Sequence, residues 1–293
     1  MDTHAPIPFA RMHGCGNDFV VIDDRAGRLA AIAGPLARAV CDRRTGLGGD
    51  GLMLIGAAPA GSGLDFSMLY INADGNEGEM CGNGARCIAR RAADLGIVGT
   101  SAAFRTGAGI VRATLAADRV TLAMTDPVDE RPPQRLTVDG SDLEVWSIDT
   151  GVPHAVVFVA DLAGTDVARL GRALRYHPAF APRGANANFA AAVGPSRLRM
   201  RTYERGVEAE TLACGTGAVA VALIACRRGL AQPPVTIEPT GGGLLEIGFR
   251  DSGRGFAGVT LAGPTELIAT GTLEAAWLAA RGLAPAAAAR AAE

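Results

Sequence analysis

Two of the six cysteines in this 293-residue chain share a context that no other residue type repeats. Cys81 opens the run Cys81-Gly82-Asn83-Gly84-Ala85, and Cys214 opens Cys214-Gly215-Thr216-Gly217-Ala218. Each run leads into a stretch read as a helix, over Gly84 to Leu95 and over Gly217 to Arg228. A tyrosine stands eleven residues before each cysteine, Tyr70 and Tyr203, in a segment read as a strand. A cysteine just ahead of a helix faces unpaired backbone N–H groups and the positive end of the helix dipole. That setting favours a thiolate. It also holds an anion, so the N–H groups of Gly82, Asn83, Gly215 and Thr216 are expected to hold a substrate carboxylate.

Two thiols of this kind suit inversion of a stereocentre without a cofactor. One acts as thiolate base on one face of Cα, the other as thiol acid on the opposite face, and they exchange roles with direction. The α-proton of an amino acid is weakly acidic, and two helix N-termini on its carboxylate offset part of the charge that develops. The remaining cysteines read differently. Cys41, Cys87 and Cys226 lie in apolar helical segments and are expected to be small core residues. Cys15 lies in a glycine-rich loop without a counterpart in the second half, and its role is open.

Other chemistries are poorly served. All 28 basic residues are arginine, so no lysine can form a Schiff base, and covalently held pyridoxal phosphate is excluded. There is no Cys-x-x-Cys pair, and the four histidines, His4, His13, His154 and His177, are scattered, so no metal site is expected. Gly46-Leu47-Gly48-Gly49-Asp50-Gly51 fits a dinucleotide fingerprint literally. It follows a polar, arginine-rich segment and precedes a strand, so it reads as a turn. The net charge of −2 gives no electrostatic reason to bind nucleic acid or an anionic membrane. The longest apolar run, Gly217 to Cys226, is too short to span a bilayer. Met1 to Phe9 lacks the pattern of a signal peptide. A cytoplasmic protein with reduced thiols is expected.

These sites need strands and helices to hold them. Phe19 to Ile22, Leu52 to Ile55, Ser67 to Ile71, Val120 to Met124, Ala155 to Val159, Leu198 to Tyr203 and Leu244 to Phe249 read as strands, and Leu36 to Arg43 as a further helix. Asp126 to Gln134, with Pro127, Pro132 and Pro133, reads as a linker. Ala284 to Glu293 is alanine-rich and reads as a frayed helix or a tail. The repeated strand, loop and Cys-Gly-x-Gly-Ala helix, with a weaker echo between Gly14-Cys15-Gly16-Asn17 and Gly151-Val152-Pro153-His154, indicates two copies of one α/β unit. Facing each other, they would bring one cysteine each to a shared cleft.

Met12-His13-Gly14-Cys15-Gly16-Asn17-Asp18-Phe19, Asn72-Ala73-Asp74-Gly75 with Met80-Cys81-Gly82-Asn83-Gly84-Ala85-Arg86-Cys87, and Tyr203-Glu204-Arg205-Gly206 with Glu210-Thr211 and Ala213 to Ala218 are long, ordered motifs. They resemble those of diaminopimelate epimerase over nearly the whole chain. The resemblance implies an α/β (α+β) fold of two pseudo-symmetric domains, each a curved, mostly antiparallel sheet or barrel around a central helix. The domains expected are 1–125 plus 264–276, carrying Cys81, and 126–263, carrying Cys214, with 277–293 as a tail. The last strand, about Pro264 to Thr272, would return to the first domain.

The resemblance further implies cofactor-independent epimerisation of LL-diaminopimelate to meso-diaminopimelate, for lysine and peptidoglycan, by a homodimer. Asn17, Asn72, Asn186, Glu204 and Arg205 would be substrate contacts. Arg205 suits the distal carboxylate, and the asparagines and Glu204 suit the ammonium. His154 either supports Cys214 or Glu204 or is a structural hydrogen-bonder. Two positions depart from relatives: Val152 stands where some have Asn, and Gly51 where some have Gln. Substrate identity is therefore open to an epimerase or racemase of another amino acid, such as histidine or hydroxyproline. A phenazine-type isomerase or a hydroxyproline dehydratase would lack one or both cysteines. A non-catalytic amino-acid-binding protein would keep the cleft without exchanging the α-hydrogen.

Overall fold

The computed structural model describes residues 6–78 and 80–286. The chain divides into two compact units, Met1–Leu122 with Thr265–Glu293, and Ala123–Pro264. Strands and helices are numbered in chain order. Unit 1 contains β1 Ile7–Gly14, β2 Asn17–Asp23, α1 Ala33–Cys41, β3 Gly51–Gly56, β4 Phe66–Asn72, β5 Glu77–Gly78, α2 Gly82–Asp94, β6 Ser101–Thr106 and β7 Gly109–Leu115. β8 Val120–Ala123 ends it, and β18 Glu266–Leu273 and α5 Ala275–Ala279 come from the far end of the chain. β18 pairs antiparallel with β1, and β1 with β2. β3–β4, β4–β5 and β6–β7 are also antiparallel, whereas β2–β3 and β4–β6 are parallel.

Unit 2 repeats this plan. It runs β9 Val128–Val138, β10 Ser141–Asp149, β11 Pro153–Phe158, α3 Val167–Arg175, β12 Asn186–Gly194, β13 Arg197–Glu204, β14 Ala209–Thr211, α4 Gly215–Arg227, β15 Val235–Pro239, β16 Leu245–Asp251 and β17 Phe256–Gly263. Its two parallel pairs, β11–β12 and β13–β15, occupy the places of β2–β3 and β4–β6. The rest pair antiparallel.

Period-two alternation sorts each strand between two faces. In unit 1, Val20, Ile22, Leu52 and Leu54 share a core with Leu36, Ala37 and Val40 of α1. Phe19 and Met53 point to the other face, where α2 lies; a Cβ on Gly84 would sit 1.7 Å from Met53 Cε. In unit 2, Ala155, Val157, Ala187, Phe189 and Tyr203 pack with Val167 and Leu174 of α3. Asn188 and Thr202 face α4, and a Cβ on Gly217 would sit 2.4 Å from Asn188 Oδ1. α4 is buried without interruption from Gly217 to Ala225, as an all-apolar helix must be. α2 is buried from Asn83 to Ala89.

Three expectations change. The expected linker is most of a strand: β9 pairs with β10 from Val138↔Ser141 to Val128↔Asp149. Pro132 and Pro133 fall where the register shifts between Gln134 and Arg131, a place in a sheet that tolerates a residue without N–H. Residues 277–286, set apart as a tail, dock on unit 1: Leu278 and Leu283 are buried in its core, and the Ala286 N–H donates to the Arg28 carbonyl at 2.9 Å. Residues 287–293 lie outside the described residues. The tyrosine echo is displaced by one residue. Gly51 pairs with Asn72, and Asn186 occupies Gly51's place, being level with His154 on β11 as Gly51 is with Phe19 on β2. Because Ala187 pairs with Tyr203, the counterpart of Asn72 is Glu204, and that of Tyr203 is Ile71. Tyr70 stacks edge-on against Phe19 on the α2 face, while Tyr203 packs on the α3 face. Ile71 pairs with Glu77, whereas its counterpart Tyr203 pairs with Glu210, so the β13–β14 hairpin holds one residue more than β4–β5, which is why the spacing to cysteine matches although the faces do not.

Candidate active site

Cys81 and Cys214 are the N-cap residues of α2 and α4, both with extended backbone. Each carbonyl accepts the first helical hydrogen bond, from Ala85 N at 2.7 Å and from Ala218 N at 2.9 Å. Gly82 and Asn83 in α2, and Gly215 and Thr216 in α4, therefore supply first-turn N–H groups. The third residue of each helix is the glycine that the close approach requires: Gly84 lies on Met53, and Gly217 lies on Asn188 with its Cβ position 3.2 Å from Cys214 Sγ.

Around Cys81 the polar groups form one chain. Arg86, fully buried, donates to Asn83 Oδ1 at 2.9 Å, to the Gly82 carbonyl at 3.3 Å and to Cys15 Sγ at 3.7 Å. Asn83 Nδ2 donates to Asn17 Oδ1 at 3.3 Å, and Cys81 Sγ donates to the same oxygen at 3.4 Å. Asn17 Nδ2 donates to Asp50 Oδ2 at 2.6 Å. Arg43 bridges Asp50 and Asp18 at 2.9 and 2.8 Å, and Arg11 also holds Asp18. The arginines hold the Asp18 carboxyl below its usual range against the opposing effect of burial. Asn72 belongs to a separate cluster, accepting from Tyr70 Oη at 2.7 Å and donating to the Asn76 carbonyl at 3.3 Å. Cys15 is buried with φ of 55°, and burial raises its thiol despite Arg86.

Beside Cys214 lie the hydroxyls of Thr216 and Thr150 and a buried Asn–His pair. Cys214 is buried, and its Sγ lies 3.6 Å from Thr216 Oγ1. Thr150 Oγ1 donates to the Thr216 carbonyl at 3.0 Å. Behind them Asn188 donates to the Ala155 carbonyl and pairs with His154 Nδ1 at 3.1 Å, while its Oδ1 accepts from Thr202. Since Asn188 donates, Nδ1 of His154 accepts and the proton sits on Nε2. Burial, and secondarily the Arg205 charge, push the His154 pKa down to about 3, so the ring is neutral at physiological pH. Asn186 Oδ1 accepts the Arg205 backbone N–H at 2.7 Å, and Glu204 accepts from Thr211 Oγ1 at 2.9 Å. Burial raises the Glu204 carboxyl.

The structure thus joins Asn17, Cys81 and Asn83 in one group, Cys214 and Thr216 in another, and Asn186 to Arg205 in a third. Cys41 and Cys87 are core residues, and burial pushes each thiol to about 12. Cys226 is only partly buried, with Asp251 at 4.0 Å from its sulfur. Arg86, Asp50, Asn188 and Thr150 escape the sequence reading. The alternation of Asn186 and Asn188 on one face of an apolar strand was a visible signal; for Arg86 only its place in the Cys81 motif pointed to it. Among the described residues no cluster of metal-ligating side chains occurs, and no helix is long and apolar enough to cross a membrane.

Known proteins resemble this chain both in sequence and in fold. The family model described as diaminopimelate epimerase matches residues 9–129 and 146–267. A diaminopimelate epimerase of Aquifex aeolicus is 43% identical over 254 residues, covering 83% of this chain and 90% of that one. One from Chlorobaculum tepidum is 39% identical over 269 residues, covering 89% and 99%. Among solved structures, a phenazine biosynthesis protein of the PhzF family from Bacillus anthracis superposes with a TM-score of 0.70 at 14% identity, covering 92% and 99%. A probable proline racemase from Agrobacterium radiobacter superposes with a TM-score of 0.66 at 18% identity, covering 91% and 92%. At such identities these two share the fold. The chain belongs to the diaminopimelate epimerase family and is an isomerase.

Proposed function

We propose that the protein interconverts LL- and meso-diaminopimelate without a cofactor, with Cys81 and Cys214 as the acid–base pair. The observation that carries this reading is the repeated one: two cysteines cap equivalent buried helices in two units of the same plan, in a chain of this family. One sulfur removes the α-proton as the other delivers a proton to the opposite face. The first-turn N–H groups of α2 and α4 hold the α-carboxylate and stabilise charge as the carbanion develops. Arg205 grips the distal carboxylate, and Asn72, Asn186 and Glu204 receive the distal ammonium, with Asn17 beside Cys81. The absence of lysine removes the Schiff-base alternative. The resemblance supports a homodimer working in the cytoplasm, on the route to lysine and peptidoglycan.

Gly51 and Val152 favour a second reading, an epimerase of another amino acid, because each lacks an amide that relatives carry. Proton NMR of the reduced protein with LL-diaminopimelate in D₂O, followed by chiral separation, decides between them. Wash-in of α-deuterium with formation of the meso isomer is expected. Exchange confined to a different amino acid would move the substrate and keep the chemistry. No exchange with any amino acid would leave a binding protein.

A further inference from the structure

The hydrogen bonds around Cys81 have fixed directions, set by an ionic group at each end. A guanidinium only donates, so Arg86 turns Asn83 Oδ1 toward itself at 2.9 Å and leaves Asn83 Nδ2 to donate to Asn17 Oδ1 at 3.3 Å. A carboxylate only accepts, so Asp50 Oδ2 takes Asn17 Nδ2 at 2.6 Å and the Asp18 backbone N–H at 3.2 Å. Neither asparagine can reverse its amide without setting donor against donor or oxygen against carboxylate. The Asn17 oxygen therefore stays 3.4 Å from Cys81 Sγ. An amide oxygen is a good partner for S–H and a poor neighbour for S⁻. Cys214 has the Thr216 hydroxyl instead, at 3.6 Å, which can rotate to donate to a thiolate or accept from a thiol.

We propose that Asp50 and Arg86 are positioning residues that lock the Asn17 amide with its oxygen on Cys81, so that Cys81 rests as the thiol of the pair and Cys214 as the thiolate. Resting on the two-thiol reading above, this sets the order of proton movement. Cys214 sulfur takes the α-hydrogen as a proton, the C–H electron pair stays on Cα, and the Cys81 S–H proton goes to the opposite face. Cys81 is left as thiolate and Cys214 as thiol; solvent carries one proton back from Cys214 to Cys81. Within unit 1 the charged and titratable groups near Cys81 include Arg86 and Cys87 on α2, Cys15 on the loop before β2 with His13 and Glu266 beyond it, and the Asp18, Asp50, Arg11 and Arg43 cluster. That cluster is neutral in sum. The Arg86 charge and the α2 N-terminus favour thiolate, and the Asn17 oxygen opposes them.

Protein labelled with [3-¹³C]cysteine, titrated by NMR without substrate and assigned through Cys81→Ser and Cys214→Ser, reads each thiol separately. In the unsubstituted protein Cys81 is expected to ionise at higher pH than Cys214. Asp50→Asn and Asp50→Ala separate charge from direction. Both remove the anion. The amide oxygen introduced by Asp50→Asn can still accept from Asn17 and the Asp18 N–H, whereas alanine frees the Asn17 amide to turn. The Cys81 midpoint should fall about one pH unit further in Asp50→Ala than in Asp50→Asn, the size of one hydrogen bond, with Cys214 unmoved. The Asp50 side chain is 42% exposed, so both variants should keep their fold. Equal Cys81 midpoints in the two variants, or Cys81 ionising at or below Cys214 in the unsubstituted protein, would overturn the lock. The titration needs no turnover. A failed titration beside normal α-deuterium exchange discards the lock alone, and a confirmed titration without exchange discards the epimerase reading alone.

Discussion

Cys81 and Cys214 cap equivalent helices in equivalent units, yet the helices behind them differ in kind. α2 buries Arg86, and a chain of asparagines and carboxylates surrounds its cysteine. α4 carries Val219 at the position corresponding to Arg86 and is apolar throughout its buried length. Its cysteine has hydroxyls and one buried Asn–His pair for neighbours. The amides are distributed crosswise. Unit 1 has Asn17 and a glycine at 51, whereas unit 2 has Val152 in the place of Asn17 and Asn186 in the place of Gly51. A shared backbone plan therefore fixes where the two sulfurs stand relative to their helices, and the side chains around them make the two halves unequal.

Removing each sulfur in turn tests the two halves most severely. Cys81→Ala and Cys214→Ala are each expected to lower epimerisation by about 10²- to 10⁴-fold, the reach of a positioned acid or base, measured by chiral chromatography. A loss at one cysteine alone would show that only one half does chemistry. Next comes Glu204-Arg205 against its counterpart turn at Asn72. Arg205→Met should cost about 10- to 100-fold in kcat/KM, as expected for a charged hydrogen-bonded contact, and Asn72→Ala only a few-fold. Equal losses would erase the difference between the two turns.

The two close-approach glycines separate the halves through stability. A Cβ at 84 meets the flexible end of Met53, which can move, whereas a Cβ at 217 meets Asn188 Oδ1, tied to Thr202 and flanked by His154. Gly217→Ala is expected to destabilise by about 1–3 kcal/mol and Gly84→Ala by less, read from urea midpoints. A last contrast is the pH dependence of the Asn188–His154 pair, which unit 1 lacks at the equivalent place. The His154 pKa is lowered in the folded protein to about 3, below the ordinary imidazole value, so the folded state binds fewer protons than the unfolded one. Its contribution is complete above about pH 6.5 and is lost as pH falls toward the folded value, with a slope of up to about 1.4 kcal/mol per pH unit. Urea melts between pH 7 and 5 should show a shallower fall for His154→Gln than for the unsubstituted protein. Parallel curves would mean that the histidine binds a proton as readily in the folded protein as in the unfolded one.

Much of this was legible before any coordinates. The Cys-Gly-x-Gly-Ala runs, the helices they open and the strands ahead of them were visible because glycine, cysteine and an apolar period each leave a local signature. The proline-rich segment misled, because a strand at the sheet's margin with a register shift tolerates what a central strand would not. The tyrosine spacing misled too. One extra residue in the β13–β14 hairpin preserved the count to cysteine while the ring moved to the other face of the sheet.

Reading along the chain is enough to single out the candidate residues, to show that they come in two sets, and to place each set at the start of a helix. Those features are written in short-range order, where neighbours along the chain decide the backbone. It takes the folded chain to show that Arg86, 71 residues from Cys15 and three from Asn83, reaches both. The same holds for Asp50, which meets Asn17 across 33 residues. Such directions depend on strands pairing in one register, which places a donor opposite an acceptor with ångström tolerance; a shift of one residue would turn every side chain of that strand to the other face.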